Sequence, residues 1–417
     1  MKKIIFTLLI IRFSLLIVNA QTGWYPLTSG TNENIYDIQF LDANTGYFVS
    51  GITFSSGTIK KTTDGGASWL TQATAGAYLL GIYFVNSNTG FAVGYPPFKK
   101  TTNGGQTWFN LNVNEGGNKV YFLDANTGFV AGFGVMLYTT NGGSSWAQSL
   151  CGNDNIHQDI HYINASTGCT TGFSPSMCRT TNAGQTWNPV SINPYSSLME
   201  ISFIDSLNGL CCGTYRAIYK TNDAGINWNI VYSNPAYYKT AYDVKYIDIN
   251  NAVAVGDTGF VIKTTNGGVN WINQTSGTSQ NLNAVFFLNL NTGWACGNNG
   301  VLIKTTNGGL TLLEPISTQI PKTFSLSQNY PNPFNPSTKI KFDLPKSNFT
   351  LNEVKGLMVK MSVYDILGKE ITTLVNESLK PGSYEVEFDG SNYPSGVYYY
   401  KLTSGDFTET KKMVLIK

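Results

Sequence analysis

The chain has 417 residues and a formal net charge of +2, and only 12% of its residues are charged. Near-neutrality leaves no whole-chain electrostatic case for nucleic acid. Plentiful Gly, Thr, Asn and aromatic residues argue against a helical bundle or a disordered acidic protein, and the length suits two or three domains.

The N-terminus reads as a secretory signal over residues 1–20. Lys2 and Lys3 are followed by an apolar run from Ile4 to Val18, and Val18-Asn19-Ala20 fits a small-residue cleavage site. The run contains Arg12 and falls short of the ~20 apolar residues that a membrane span prefers. A mature chain from Gln21 is expected, with no transmembrane segment.

From there a phrase recurs seven times: Thr-Thr-(Asn/Asp)-Gly-Gly, two residues, then Trp. Copies end at Trp69, Trp108, Trp146, Trp187, Trp228 and Trp271, and a seventh, without Trp, ends at Leu312. The steps are 39, 38, 41, 41, 43 and 41 residues. A period near forty means one supersecondary unit copied in series. In the sixth unit, Tyr242 to Ile247, Ala252 to Gly256 and Phe260 to Thr264 read as strands, and Trp271 opens a fourth. Four antiparallel strands per unit make a propeller blade, so residues 21–315 are expected to form an all-β, seven-bladed propeller. Trp24-Tyr-Pro-Leu-Thr-Ser-Gly matches Trp271-Ile-Asn-Gln-Thr-Ser-Gly, and the segment near Trp24 is expected to supply the outer strand of the last blade.

The phrase resembles the Asp-box, or BNR repeat, of sialidases, some secreted glycosidases and photosystem II assembly-factor-like propellers. The resemblance implies that Asp64, Asn103, Asn141, Asn182, Asp223, Asn266 and Asn307 cap hairpins, and that the tryptophans pack between blades. Five of these seven are Asn, which weighs against a charge-dependent role. A second regular turn, such as Asp42-Ala-Asn-Thr-Gly46 or Asp124-Ala-Asn-Thr-Gly128, uses Asx side chains to bond nearby N–H groups. These acids are read as turn formers.

Chemistry is sparse. The propeller holds two arginines, Arg179 and Arg216, so the arginine triad of a sialidase cannot be built. The starts of the first strands carry Asp37, Gly81, Lys119, Asp159, Glu200, Asp243 and Ala284. First strands line a propeller's channel, so Asp37, Asp159, Glu200 and Asp243 are candidates for a weak cation or polar-ligand site at one channel mouth. Solvated strand starts are the plainer alternative. His157 and His161 on one strand lie about 13 Å apart, too far to share a metal. No metal, cofactor or catalytic residue is assigned. Cys211, Cys212 and Cys296 read as small core residues, while Cys169 and Cys178 flank one hairpin and are candidates to pair across it.

Composition shifts after Glu314. Residues 316–337 form a Pro/Asn-rich linker and domain edge, and residues 338–417 alternate as a small Ig-like β-sandwich. Tyr330-Pro-Asn-Pro-Phe-Asn-Pro, Val363-Tyr-Asp-Ile-Leu-Gly368, Pro394-Ser-Gly-Val-Tyr-Tyr-Tyr400 and Lys411-Lys-Met-Val-Leu-Ile-Lys417 resemble the type A sorting domain of the type IX secretion system. That resemblance implies export to the medium or outer surface, with the secretion machinery as a partner. The function expected is a non-catalytic binding protein for a carbohydrate or protein ligand. The alternatives are an extracellular glycoside hydrolase using two channel carboxyls, and an assembly factor for a membrane complex.

Overall fold

A computed structural model describes residues 23–151, 156–173, 177–192, 197–234, 238–309, 315–317, 319–346, 357–390 and 393–417. The signal segment, Leu312 and most of the 346–360 stretch lie outside the described residues. Among those described there is no α-helix, and no helix is long and apolar enough to cross a membrane.

Seven four-stranded antiparallel sheets follow one another as blades, spanning 34–75, 79–110, 117–149, 157–189, 198–232, 241–273 and 282–305. The inner strands touch their neighbours all the way round, and that of blade 1 meets that of blade 7. The seventh sheet takes its outer strand from the other end of the propeller: Tyr25 pairs with Lys304 and Pro26 with Ile303. Trp24 donates its indole N–H to Gln274 at 2.9 Å, and Ser29 its hydroxyl to the Gly300 carbonyl at 2.6 Å. The ring is therefore closed by chain ends some 280 residues apart.

The repeated phrase folds the same way in the first six blades. In blade 1, the Thr62 hydroxyl donates to Asp64 at 2.7 Å and accepts the Gly66 N–H at 3.0 Å, while Asp64 accepts the Ser68 N–H at 2.9 Å. Asn103 accepts the Thr107 N–H at the same 2.9 Å, and Asn141, Asn182, Asp223 and Asn266 repeat the bond. A carbonyl oxygen does this work as well as a carboxylate, which is why Asn and Asp interchange. The tryptophans pack between blades: Trp69 clusters with Trp294 of blade 7, and Trp108 with Tyr47 of blade 1.

Cations on the third strands stitch each blade to the next turn. Lys61 donates to the Gly104 carbonyl at 2.8 Å, Lys100 to Gly142 at 2.7 Å and Arg179 to Ala224 at 2.8 Å. Lys220, Lys263 and Lys304 reach Gly267, Gly308 and Gly65 in the same way. Blade 3 has Tyr138 at this position. There the junction to blade 4 carries a disulfide instead, between Cys151 and Cys178 with Cα atoms 6.3 Å apart. This corrects the expected Cys169–Cys178 pair. Cys169 pairs in register with Arg179 and Cys178 with Thr170, so the two side chains leave opposite faces of the sheet. Cys169, Cys211, Cys212 and Cys296 are free and buried.

The C-terminal region forms two facing sheets. One contains Ser325–Leu326, Ser337–Leu344 and Gly382–Asp389; the other contains Glu370–Leu379, Leu357–Tyr364, Gly396–Ser404 and Phe407–Leu415. Alternate residues Thr338, Ile340, Phe342 and Leu344 point inward, and a core including Val359, Met361, Val363, Tyr400 and Met413 fills the space between. Phe334 of the Pro/Asn segment is buried in that core.

Candidate functional site

All seven inner strands share one irregularity near their start. The pairing register slips between Ile35 and Asp37, Leu79 and Gly81, Gly117 and Lys119, His157 and Asp159, Leu198 and Glu200, Ala241 and Asp243, and Leu282 and Ala284. Each slip is a β-bulge, one extra residue that leaves the ladder and re-aims its side chain. The extra residues are Tyr36, Leu80, Asn118, Gln158, Met199, Tyr242 and Asn283. All seven line one cavity of about 320 Å³, together with Asn281, Asn298, Lys119 and Glu200. Because the strands are antiparallel, this end of the axis also carries the turns between second and third strands. The Asp-box turns lie at the other end, where the Gly65 N–H donates to Asn44 and the Gly104 N–H to Asn88 in the turns after the inner strands.

The residues after the bulges lie beneath this wall, and two of them, Lys119 and Glu200, line the cavity floor. Asp37, Asp159, Glu200 and Asp243, the candidates for one channel mouth, lie buried at this level rather than solvated at the mouth. They are 9%, 6%, 3% and 1% exposed. Lys119 bridges Asp37 at 3.0 Å and Glu200 at 3.5 Å, and Lys245 bridges Glu200 and, at 3.6 Å, Asp243. A zigzag of alternating charge thus crosses the channel from blade 1 to blade 6. The aspartates also join blades, because each accepts a backbone N–H from the next: Ile82 on Asp37 at 2.9 Å, Ile201 on Asp159 at 2.9 Å and Val285 on Asp243 at 2.8 Å.

This crowding sets the protonation states. Burial, then the Glu200 charge, pushes Asp243 up to about 7. The same causes push Asp159 well above the usual carboxylate range. Burial also raises Glu200, but Lys119 and Lys245 together outweigh it and hold this carboxyl below its ordinary value. Burial works against both lysine charges, and the surrounding carboxylates overcome it.

Below the floor is a second cavity of about 200 Å³, with Gln39, Tyr83, Tyr121, His161, Lys245 and Phe286 in its wall. His157 and His161 both lie on the strand His157–Tyr162, and burial lowers each to about 4. Among the described residues no group of three or more His, Cys, Asp or Glu is placed to hold a metal. Sequence reasoning named the floor and missed the wall. The available signal was spacing: Ile35 and Ile38, Leu79 and Ile82, Leu198 and Ile201, and Leu282 and Val285 are three apart where strand alternation demands two.

Two families match the chain. Residues 17–118 and 110–236 match the photosynthesis system II assembly factor YCF48 family, and residues 328–417 match the secretion system C-terminal sorting domain. No curated protein matches the sequence significantly. Among solved structures, YCF48 bound to D1 peptide is similar, with TM-score 0.58 and 18% identity over 69% of this chain and 98% of that one. An ancestral GH74 enzyme is similar with TM-score 0.53 and 14% identity over 94% of this chain and 64% of the enzyme. PorZ, a surface component of the type IX secretion system of Porphyromonas gingivalis, gives TM-score 0.51 and 11% identity, covering 92% and 60%. At these identities the likeness is one of fold, shared by proteins with unlike roles. The chain belongs to the YCF48 family of photosynthesis system II assembly factors and carries a type IX sorting domain, which directs it through the secretion machinery to the cell surface or the medium.

Proposed function

We propose that this secreted propeller is a non-catalytic binding protein whose ligand seat is the bulge-lined cavity on the axis. One observation carries the reading: the channel carboxyls are already committed. A glycoside hydrolase needs one carboxyl free to donate a proton and a second free to act as base or nucleophile. Here Glu200 lies between two ammonium groups, and Asp37, Asp159 and Asp243 each hold a backbone N–H of the next blade. Withdrawing any of them for chemistry would leave buried groups unpaired. In the wall above, Asn118 and Asn283 donate to the His157 and Ile35 carbonyls, and Asn281 and Asn298 accept from Thr258 and Asn283. This leaves one amide atom of each for a ligand, beside the whole amide of Gln158 and the rings of Tyr36 and Tyr242. That set suits recognition of a polar ligand.

The test is a glycan-array and polysaccharide pull-down with the secreted chain, with product analysis on every hit. Retention without cleavage is the expected result, and weaker retention by Gln158→Ala would place the ligand in the cavity. Cleavage that is lost in Asp159→Asn or Glu200→Gln would replace this reading with the hydrolase.

A further inference from the structure

An aromatic strip leads out of the cavity across blades 1, 2 and 3. It starts at Tyr36, whose ring centroid lies 5.8 Å from that of Tyr78. Tyr78 lies 5.1 Å from Tyr95, and Tyr95 5.4 Å from Phe133. Phe54 stands edge-on to both Tyr78, at 5.8 Å and 90°, and Tyr95, at 4.9 Å and 81°. The rings come from separate turns and join only in the folded propeller.

Blade 1 is built to present this surface. Its second and third strands, Gly46–Ile52 and Ser56–Thr62, have seven residues each, whereas the second strands of the other six blades have five. Two additional residues raise the hairpin tip by about 7 Å. Ile52 and Phe54 at that tip are 55% and 69% exposed. Phe54 also has φ of 56°, a region that a bulky side chain avoids. Tyr215, Thr258 and Asn299 in the corresponding turns of blades 5, 6 and 7 also have positive φ, so the turn imposes this conformation. Glu33 accepts the hydroxyls of Ser50 at 2.8 Å, Ser56 at 2.7 Å and Thr58 at 3.2 Å and so ties the base of the hairpin. Glu33 is a positioning residue for the strip.

The chemistry of strip and cavity is aromatic and amide. Among the described residues, the charged groups lining the cavity are Lys119 and Glu200, which are paired with each other in the floor. An ionic ligand would meet no free countercharge. A peptide adding as a strand needs an exposed sheet edge, and the outer strands lie at the blade perimeter, away from the axis. A row of tilted rings, Tyr36, Tyr78 and Tyr95, flanked edge-on by Phe54 and ending in a pocket of amides, fits a chain of sugar units whose C–H faces stack and whose hydroxyls bond amides.

We propose that the strip and the cavity together bind a neutral oligosaccharide, its chain stacked along Tyr95 and Tyr78 with Phe54 against its flank and its end seated among the amides. This rests on the cavity being the ligand seat. The test is calorimetric titration of the full secreted chain with cellohexaose, xylohexaose, laminarihexaose and mannohexaose. A polygalacturonate hexamer and a random-sequence peptide pool serve as controls. The diagnostic variant is Phe54→Gly, which removes the ring and also relieves the φ strain, so it is expected to fold at least as stably as the parent. Tyr95→Ala is the second variant and Gln158→Ala the cavity variant. The expected result is binding of at least one neutral hexasaccharide, weakened tenfold or more by Phe54→Gly at unchanged melting temperature and by Tyr95→Ala measured below its transition. Unchanged affinity in both strip variants, with loss in Gln158→Ala, would overturn the strip and leave the cavity standing. Preference for the polygalacturonate hexamer or for peptides would overturn the neutral-sugar class. No binding of any probe would overturn the proposal and the cavity reading together.

Discussion

The two ends of the propeller axis are built from the same seven repeats to opposite effect. At the Asp-box end the turns are near-copies, and their side chains spend their bonds on their own hairpin or on the next blade. At the bulge end the backbone is equally regular, yet the extra residue is Tyr, Leu, Asn, Gln, Met, Tyr or Asn. Repetition there fixes where a side chain points and leaves its chemistry open. Where the repeat keeps its residues it holds the frame, and where it keeps only its geometry it frees positions for recognition.

The comparison breaks first if the frame is opened. Deleting residues 23–31 removes the closing strand, the Trp24–Gln274 bond and the Ser29–Gly300 bond, and it uncovers an edge. Loss of cooperative thermal unfolding is expected, and a melting curve unchanged from the parent would contradict the closure account. Next in size is the blade 3–4 junction, where the disulfide replaces the missing cation. Replacing Cys151 and Cys178 with Ser should cost about 3 kcal/mol. Hydrogen exchange should rise mainly in blades 3 and 4, whereas a uniform rise would mean the bond is not a local staple.

A pH series sharpens the view of the floor. The folded-state value for Asp243, about 7, lies above the ordinary carboxylate value. Its contribution to stability is therefore complete below about pH 4 and is lost as the pH rises through about 7. Asp159 is shifted in the same direction and adds with the same sign, while Glu200, shifted the other way, acts only in the acid range. Lowering the pH from about 8 to about 5 therefore adds a rise in melting temperature from the two aspartates, opposed below about pH 6.5 by His157 and His161, which burial holds at about 4. Asp243→Asn keeps the acceptor for the Val285 N–H and should flatten that rise; an unchanged slope would sink the assignment. The smallest effect expected is for Asn103→Asp. The Thr107 hydroxyl, which now accepts from the Asn103 amide, would donate instead, as Ser68 does to Asp64. A change within about 0.5 kcal/mol is expected, and a larger one would mean that charge matters in these turns.

Much of this frame is legible in the sequence because a fixed bond network demands fixed residues. Thr62, Asp64 and Trp69 recur as a phrase, and Trp24 exposes the closing strand as a displaced copy. The sorting domain is legible because alternation such as that of Ile340, Phe342 and Leu344 defines a half-buried strand. The disulfide was not, since whether Cys178 faces Cys169 or Cys151 depends on register parity. The floor acids were found as a set, but their burial was not, because it depends on Lys119 and Lys245 arriving from other blades. The cavity wall escaped because a bulge needs no particular side chain, and its only trace is a spacing of three between apolar residues.

One crossed measurement tests the division between frame and site most directly: melting temperature and ligand affinity for Gln158→Ala, at a bulge, and Asn103→Ala, in an Asp-box. Gln158 is half-buried and its side chain makes no hydrogen bond to another described residue, whereas Asn103 accepts the Thr107 N–H. The account predicts that Gln158→Ala loses affinity at unchanged melting temperature. It also predicts that Asn103→Ala loses about 1 kcal/mol of stability and binds normally below its transition. The reverse pattern, with affinity following the Asp-box and stability the bulge, would contradict it.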